Sequence, residues 1–507
     1  MVSVVPKNES LIAYNVLEKK ILKAGFCTLC GACEAACPTN AIKVEGEALK
    51  RIHDCSDFLD LCPICYEICP HSEALLLRSL SFVADAPGRS EALGYYRKVV
   101  LAQAADSKLR EICRGGAVVT SLLKYGIEKG VFDAAVVSKA EVETPAKPKP
   151  SVALVPDDIL SAVGSKFFPS AVAKVYGSAV HEYGKKKVAF VGVPCHVLAL
   201  RKMEAWQHKL IQSLSIIFGL FCFGTFSLSS VLNYITTTYH VRPSEIKHVS
   251  LSKEFLVQTE KGKVSIPMHE ISEHLLPSCR TCMDFTAELA DISVGSAYPL
   301  QDWSVVVLRT KTGEDFFYEA VNDGILNTGI IEYEPRVFER VIIASLHKRF
   351  NALKEAEKVQ EAYGYLPVRI LRETDELALV KVEEIMTKKV ESVPADMNVE
   401  QVLDLMAKKR HVAYPVIGKD GEPVGMVTIE EASTVPKEKR KSTLVSAIAR
   451  KTLVTAKVGE TALDVFRKMS IHETGRVLIV APEDPKKIVG LITKTDLMHA
   501  LIIATQK

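Results

Sequence analysis

The stretch "CTLCGACEAACP", residues 27–38, decides how the N-terminal part of this chain must fold. Its four cysteines follow the spacing C-x2-C-x2-C-x3-C and end in Cys-Pro. A second run, "CSDFLDLCPICYEICP" at 55–70, ends in the same way, but its first cysteine stands seven residues ahead of the next instead of three. Eight of the thirteen cysteines lie between Cys27 and Cys69. In a reducing compartment disulfides are disfavoured, so this clustering favours metal ligation.

The spacing of the first run is typical of ferredoxins that hold 4Fe-4S clusters. In them, three closely spaced thiolates bind one cluster and the fourth crosses to its neighbour. The expected ligands are Cys27, Cys30, Cys33 and Cys69 for one cluster, and Cys37, Cys55, Cys62 and Cys65 for the other. Four extra residues before Cys62 lengthen a loop at little entropic cost. Two alternatives stay open: a zinc site, which C-x2-C pairs also suit, and a free Cys55 that leaves its cluster with three protein ligands.

Length and composition predict a soluble, cytoplasmic protein of several domains. A chain of 507 residues is too long for one domain. Its formal net charge of +3 gives no electrostatic footprint for nucleic acid. The N-terminus lacks the pattern of a signal peptide, and the longest apolar run, around 216–223, is too short for a membrane span.

Beyond the cysteine-dense segment the pattern alternates between strands and helices. The strands "RKVVLAQA", "FDAAVVS", "KKVAFVGVPC", "SLSIIFGLFCFG", "ADISVG" and "WSVVVLRT" are separated by turn residues and by the predicted helix "GGAVVTSLLKYGIEKG". The fold class expected is a multidomain α/β (α+β) protein. We expect a ferredoxin-like domain with an N-terminal helix at 1–80, an α/β domain at 85–345, a helical linker at 346–378 and a repeated module at 379–507.

Five cysteines lie outside the ferredoxin-like segment. Cys195 and Cys222 each end a strand-like run, and "CRTC" contributes Cys279 and Cys282. Strand ends and a turn can meet at one edge of an α/β sheet, where four thiolates would hold a third cluster. Taken singly, each cysteine is a small buried hydrophobe, and spacing alone leaves both interpretations open.

The motifs "GGAVVTSLL", "GSKFF", "GVPCHVLALRKM", "GLFCFGTF" and "CRTCMDFTAELADISVG" together resemble the beta subunit family of coenzyme F-420 hydrogenase/dehydrogenase. The resemblance covers roughly residues 20–345. It implies a catalytic domain that binds FAD and one 4Fe-4S cluster, with Cys195, Cys222, Cys279 and Cys282 at the cluster positions. Three clusters are then expected in the chain. Cys113 falls outside the cluster set and is expected to pack beside the flavin.

A flavin is expected on chemical grounds as well, because clusters pass single electrons whereas a deazaflavin exchanges hydride, and a flavin does both. No G-x-G-x-x-G follows a strand, so a Rossmann site is not supported. Gly115 and Gly116, with Thr120, begin a predicted helix whose amides could face a pyrophosphate; the alternative is a plain capped turn. "GSKFF" offers Ser165 and Lys166 for a phosphate.

The run "ADISVG" is similar to the family's segment beside the cluster and the flavin. It adds Asp291 and Gly295 to the expected cofactor-binding residues. The alternative for Asp291 is a loop hydrogen bond. No general acid–base pair is evident, and no catalytic residue is assigned.

The C-terminal segments "PVGMVTIEE" and "KIVGLITKT" align, and each follows a helical segment and a strand, which indicates a tandem module. Residues 379–507 resemble a pair of cystathionine-β-synthase (CBS) domains. In that family a threonine meets a nucleotide phosphate and an aspartate holds the ribose. The matching residues are Thr493 and Asp496 in the second copy, and Thr428 and Glu431 in the first, where glutamate replaces aspartate. The resemblance implies an adenine nucleotide or S-adenosylmethionine as ligand and a homo-oligomer; the alternative is a structural module without ligand.

The function expected is an iron–sulfur flavoprotein oxidoreductase. Hydride would pass between coenzyme F-420 and FAD, and single electrons through the clusters to a redox partner such as a ferredoxin, a hydrogenase or a heterodisulfide reductase-type complex. The CBS pair would regulate this activity. Two alternatives remain: a ferredoxin-dependent flavin reductase of another substrate, and an electron-relay subunit of a larger complex.

Overall fold

The computed structural model describes residues 13–55, 62–113, 115–141, 146–251, 254–363, 380–409, 411–472, 474–493 and 496–497. The chain divides into two compact units, residues 1–369 and 370–507. Among the described residues, no helix combines the length and the apolar character needed to cross a membrane.

The cysteine-rich segment begins the first unit with short helices around one β-hairpin. Its elements are α1 (Ala13–Leu17), α2 (Ala32–Ala35), β1 (Ile42–Glu45), β2 (Ala48–Arg51), α3 (Ile64–Glu67) and α4 (Leu76–Leu80). β1 and β2 pair antiparallel. The N-terminal helix expected in this domain is described from Ala13 and continues as a π-helical turn, Glu18–Leu22. Leu17, Ile21 and Phe26 are buried beneath the cysteines.

The strands of the α/β part form one large mixed sheet and two small sheets. They are β3 (Gly88–Ser90), β4 (Gly94–Tyr96), β5 (Lys98–Ala104), β6 (Ala134–Ala140), β7 (Pro148–Ala153), β8 (Val188–Gly192), β9 (Leu214–Leu220), β10 (Ile246–Leu251), β11 (Glu254–Thr259), β12 (Gly262–Pro267), β13 (Ile292–Ser296), β14 (Ser304–Leu308) and β15 (Leu326–Gly329). The large sheet has eight strands in the order β15-β5-β14-β13-β9-β8-β6-β7. Its centre, β13-β9-β8-β6, is parallel. The carboxyl ends of these four strands therefore share one edge.

The helices of this part are α5 (Ser107–Cys113), α6 (Val118–Glu128), α7 (Pro156–Leu160), α8 (Val172–His181), α9 (Pro194–Ala205), α10 (Leu228–Tyr239), α11 (Met268–Ile271), α12 (Pro277–Arg280), α13 (Lys311–Asn322) and α14 (Pro335–Tyr363). Helices cover both faces of the large sheet, whereas α10 and α11 pack against the small sheet β10-β11-β12. α6 and α13 bury Leu122 and Phe316 against Ala189 of β8. The next residue, Phe190, meets Tyr176 of α8 on the opposite face, as strand alternation requires. The face with α8 and α9 also receives the cysteine-rich segment.

Two segments at the ends of this part differ from what their composition suggests. The run "TPAKPKPS" at 144–151, whose prolines are typical of a loop, is a strand from Pro148 onward. β7 pairs with β6 at the edge of the sheet, the one position where strand prolines are tolerated. The linker expected at 346–378 is, as far as Tyr363, the continuation of α14. Its residues Arg349, Ala352 and Ala356 are buried in the first unit; 364–378 lie outside the described residues.

The second unit repeats one motif twice. Its elements are α15 (Val382–Ile385), β16 (Val393–Pro394), α16 (Val399–Lys409), β17 (Ala413–Ile417), β18 (Pro423–Thr428), α17 (Ile429–Thr434), α18 (Val445–Ile448), β19 (Thr455–Lys457), α19 (Ala462–Ile471), β20 (Arg476–Val480) and β21 (Ile488–Thr493). In each copy a short strand pairs parallel with the central strand, which pairs antiparallel with the last. The tandem repeat predicted from the sequence is confirmed by this shared topology.

Candidate redox centre

The parallel strands β8 and β9 deliver two cysteines to one edge of the sheet. Cys195 lies in the first turn of α9, three residues after β8 ends at Gly192. Cys222 lies two residues beyond β9. The "CRTC" turn reaches the same place, because the Thr225 amide donates to Cys279 Sγ at 3.3 Å.

The thiols of these cysteines influence one another's ionisation. Burial raises the pKa of Cys222 far above its ordinary value, and the neighbouring thiols of Cys279, Cys195 and Cys282 raise it further, against the lowering effect of Lys348. The structure therefore gathers the four cysteines assigned to the third cluster at one place.

The first ferredoxin-type set gathers in the same way. Burial raises the pKa of Cys27 to about 12, and the Cys69 thiol adds to it. Burial also raises the pKa of Cys30 and of Cys33, and both again respond to Cys69. Thus Cys69, more than thirty residues away in the chain, meets the three closely spaced cysteines, as the crossed ligand pattern predicts.

The displaced Cys55 lies with the second set. Burial raises the pKa of Cys65 to about 12, and Cys62, Cys37 and Cys55 raise it further. The pKa of Cys55 is itself raised, first by burial and then by Cys37. Residues 56–61, which separate Cys55 from Cys62, lie outside the described residues, but both flanking cysteines act on Cys65.

The three sets are neighbours. The Cys195 thiol contributes to the raised pKa of Cys30, which joins the third set to the first. The Cys65 thiol contributes to that of Cys33, and Cys69 to that of Cys65, which joins the first set to the second. The first set therefore lies between the other two.

The donors present suit 4Fe-4S clusters better than single ions. Within the described ranges, no three His, Cys, Asp or Glu side chains converge closely enough to share one metal ion. A four-iron cluster is larger and takes thiolates that stand farther apart. Backbone amides already point at sulfur, with Leu29 N 3.4 Å from Cys27 Sγ and Ala41 N 3.3 Å from Cys37 Sγ. Ser278 Oγ, beside Cys279, is buried without a hydrogen-bond partner in the described structure. A sulfide of a bound cluster would supply an acceptor for this hydroxyl.

The residues expected to hold a flavin phosphate have local partners. Lys166 Nζ donates to the carbonyls of residues 162, 163 and 164 at 2.7, 2.9 and 2.8 Å, and burial lowers its pKa to about 8. Ser165 is exposed beside it. A Cβ on Gly116 would lie 2.4 Å from Ser304 Oγ, whereas a Cβ on Gly115 would meet only Gln301 O, at 3.9 Å. The close approach of β14 thus explains Gly116, and Gly115 is the glycine with room for a ligand.

Cys113 and Thr120 lie beside this loop. The Cys113 thiol donates to Thr120 Oγ1 at 3.6 Å, and Cys113 packs with Leu160 against Ala117. α6 starts at Val118, after Ala117 in a left-handed conformation (φ 55°). The predicted helix is confirmed, but its first turn begins two residues beyond Gly116. The loop with Lys166 follows α7. It is close to the loop of Gly115 and Gly116, because Leu160 at the end of α7 packs against Ala117.

Asp291 and Gly295 lie at opposite ends of β13. Gly295 is at the carboxyl edge with the cysteines, where a Cβ would overlap the Phe221 ring. The Asp291 carboxylate lies about 13 Å along the strand. It accepts from Arg201 at 2.8 Å, Thr310 at 2.7 Å and the Ile217 amide at 2.7 Å. The contacts favour the alternative of an internal hydrogen-bonding role for Asp291; cofactor binding by it stays a prediction that they do not support.

The CBS-type residues form matching turns in the two copies. Thr493 donates from its amide and its hydroxyl to Asp496, each at 2.7 Å. Thr428 does the same to Glu431, which also pairs with Arg450. Although burial opposes it, these bonds hold the pKa of Glu431 below its ordinary value. The longer glutamate is thus committed to Arg450, whereas Asp496 is bonded to Thr493 in the part of the second copy that the structure describes.

A cavity of about 650 Å³ lies elsewhere in the first unit, between β5 and the start of α14. Lys98, Tyr318 and Phe338 are among its lining residues. None of the expected flavin residues lines it, and no motif marked it, because its walls come from distant segments.

Comparison with known proteins agrees with this arrangement. Residues 99–176 and 185–333 match the N-terminal and C-terminal parts of "coenzyme F-420 hydrogenase/dehydrogenase, beta subunit". The coenzyme F-420 hydrogenase subunit beta of Methanococcus voltae is 32% identical over 278 residues, which are 54% of this chain and 98% of that protein. The chain belongs to the coenzyme F-420 hydrogenase/dehydrogenase beta subunit family.

A further relative and a solved structure support the assignment of this chain to the family. The subunit beta of Methanothermobacter thermautotrophicus is 30% identical over 244 residues, 47% of this chain and 86% of that protein. A structure of the F-420-reducing [NiFe] hydrogenase complex from Methanosarcina barkeri aligns with TM-score 0.51 and 28% identity, over 54% of this chain and 96% of that one. The chain is therefore an electron-transferring oxidoreductase.

Two further matches confirm the modules at the ends of this family member. Residues 23–43 match a 4Fe-4S binding domain, and 382–435 and 445–503 match CBS domains. Sequence reasoning missed two lysines of the centre, Lys202 and Lys348, whose ammonium groups bond the carbonyls of Cys69 and Cys222. The one signal in the sequence was that Lys202 follows Cys195 by two helical turns, which places both on the same face of a helix.

Proposed function

We propose that this protein transfers hydride between coenzyme F-420 and FAD and passes single electrons through three 4Fe-4S clusters to a partner protein. The observation that carries the proposal is the contiguity of the three cysteine sets, with the first set between the other two. A bound flavin supplies the exchange between hydride and single-electron chemistry. The chain supplies the cysteines, and at least one member of each set is buried.

The ends of this arrangement differ in ways that suit their roles. The third set is at the carboxyl edge of the sheet, together with Gly295 and, through Ser304, the Gly115–Gly116 loop. This edge is where an α/β sheet binds its ligands. The second set includes the partly exposed Cys37, Cys55 and Cys62. We propose that flavin binds near the third set and that electrons enter or leave near the second.

The experiment that tests the proposal combines composition with turnover. Anaerobically purified full-length protein should contain about twelve irons, four for each of three clusters, and one FAD per chain. It should exchange electrons between reduced coenzyme F-420 and a viologen dye. About eight irons would contradict the three-set assignment. A protein with full iron and flavin that leaves the deazaflavin unchanged would be a reductase of another substrate or a relay subunit.

We further propose that the CBS pair binds an adenosyl ligand and tunes this activity. The turn at Thr493 and Asp496 supports the binding part, because it presents a carboxylate and a hydroxyl together. Turnover should then change with an adenine nucleotide or S-adenosylmethionine. Equal turnover with every adenosyl ligand tested would refute regulation. Self-association through these domains stays a prediction, which sedimentation of the full chain would test.

A further inference from the structure

Two lysines outside the cysteine motifs contact the main chain of one expected cluster ligand each. Lys202 Nζ, on α9, donates to Cys69 O at 2.7 Å, Ser72 O at 2.8 Å and Ser72 Oγ at 3.0 Å. Lys348 Nζ, on α14, donates to Cys222 O at 2.7 Å and Asp284 O at 2.8 Å. The same contact thus occurs twice, from two helices that are distant in sequence.

Both ammonium groups are withdrawn from water to a degree that surface lysines avoid. Lys202 is 0% exposed, although lysine is almost never fully buried in proteins. Lys348 is partly buried, and its two bonds go to backbone carbonyls, one of them that of Cys222. A buried cation costs free energy unless a negative charge compensates it, and a set of expected cluster ligands lies beside each lysine.

We propose that Lys202 and Lys348 are positioning residues that favour the reduced state of two different clusters. Lys202 serves the set of Cys27, Cys30, Cys33 and Cys69, and Lys348 the set of Cys195, Cys222, Cys279 and Cys282. The inference rests on the proposed function, because it presumes a cluster in each set. Reduction adds an electron to a cluster, and a nearby cation in a low-dielectric surrounding stabilises that added charge.

The position of Lys202 gives the proposal its consequence for electron flow. Its helix begins with the third-set ligand Cys195, and its ammonium ends on the first-set ligand Cys69. Lys202 therefore links the chain segments that carry the two sets and places a positive charge between them. A lysine that only caps carbonyls would affect the stability of the chain but not the potential of a cluster.

The test is a redox titration, followed by electron paramagnetic resonance, of full-length protein and three variants. Lys202→Met and Lys348→Met remove one charge each. Lys174→Met is the control, because Lys174 is also next to the first set but is exposed and paired with Glu34 at 2.9 Å. Each of the first two variants should lower one midpoint potential, a different one in each case. The expected shift is a tenfold change in the ratio of reduced to oxidised cluster, about 59 mV for one electron. The control should leave all three potentials unchanged.

Three outcomes would overturn the inference. The first is full iron content with no shifted potential in either variant; the second is the same cluster shifted in both. Lys202→Gln and Lys348→Gln keep a hydrogen-bond donor without the charge and are titrated if a methionine variant does not assemble. The third outcome is that the methionine and the glutamine variant of the same lysine both lose iron while Lys174→Met keeps its iron. That lysine would then be needed for folding. Absence of clusters from the unmodified protein would instead refute the proposed function itself.

Discussion

Replacing Asp291 by asparagine separates a structural role from a cofactor-binding one. The carboxylate lies in the core with Arg201; their side chains are 9% and 5% exposed, and the contact is 2.8 Å. In Asp291→Asn, the new amide group must face either the Ile217 N–H or the donors of Arg201 and Thr310. One donor then opposes another, and the guanidinium loses its buried counter-charge. Breaking a buried ion pair costs about 3–5 kcal/mol, so the first unit should be less stable by that amount.

The two tryptophans of the chain make this measurable. Trp206 and Trp303 both lie in the first unit, so tryptophan fluorescence in urea follows that unit alone. With an m value of about 3 kcal/mol/M, the unfolding midpoint should fall by roughly 1–1.7 M, while FAD content without urea stays unchanged. Asp85→Asn is the control, because Asp85 is 64% exposed beside Arg97 and should cost no more than about 1 kcal/mol. Unchanged stability of Asp291→Asn together with lost FAD would refute the structural role.

Three further predictions concern residues whose roles stay open. Cys55→Ala should lower the iron content by about four per chain and leave FAD in place; unchanged iron would make Cys55 a free cysteine. Lys166, with a pKa lowered to about 8 by burial, is neutral above that pH in the flavin-free protein. If it meets a flavin phosphate it must regain its proton on binding, so the FAD Kd should rise up to about tenfold per pH unit above 8. Lys166→Met should abolish this slope, and a flat profile in the unmodified protein would exclude the contact. Asp496→Ala should weaken adenosyl-ligand binding in calorimetry more than tenfold, and Glu431→Ala less, because Glu431 is already paired with Arg450; equal effects would contradict this distinction.

The sequence predicted the candidate site best where the spacing of neighbouring cysteines determines which of them share a cluster. Cys27, Cys30 and Cys33 follow one another around a single turn, so their common site follows from the chain itself. The third set depends on where β8, β9 and the α12 turn end, which no local pattern contains, so spacing alone left it open and the family resemblance favoured it. Strand order in the central sheet could not be predicted either, since the alternation of helix and strand is the same for many orders.

What the sequence did not show has one physical cause, which is pairing between distant segments. Asp291 is bonded to Arg201, ninety residues earlier, and this contact cannot be recognised in the motif "ADISVG". Lys202 reaches Cys69 across 133 residues, and in the sequence it is indistinguishable from a solvent-exposed helix lysine. Gly116 resembles a phosphate-binding glycine, but its neighbour in space is Ser304.

The contact between the cysteine-rich segment and α8 limits the order in which the protein can mature. Gly31, at φ 79°, leaves no room for a Cβ, which would lie 2.6 Å from Lys174 Cβ, and Ala173 N bonds the Cys30 carbonyl at 3.0 Å. Cys30, Cys69 and Cys195 are each less than 10% exposed in this closed arrangement. Iron and sulfide cannot be delivered to thiols that water scarcely reaches, so loading requires local opening. The cellular machinery that builds clusters must therefore act before this contact closes or while it is transiently open.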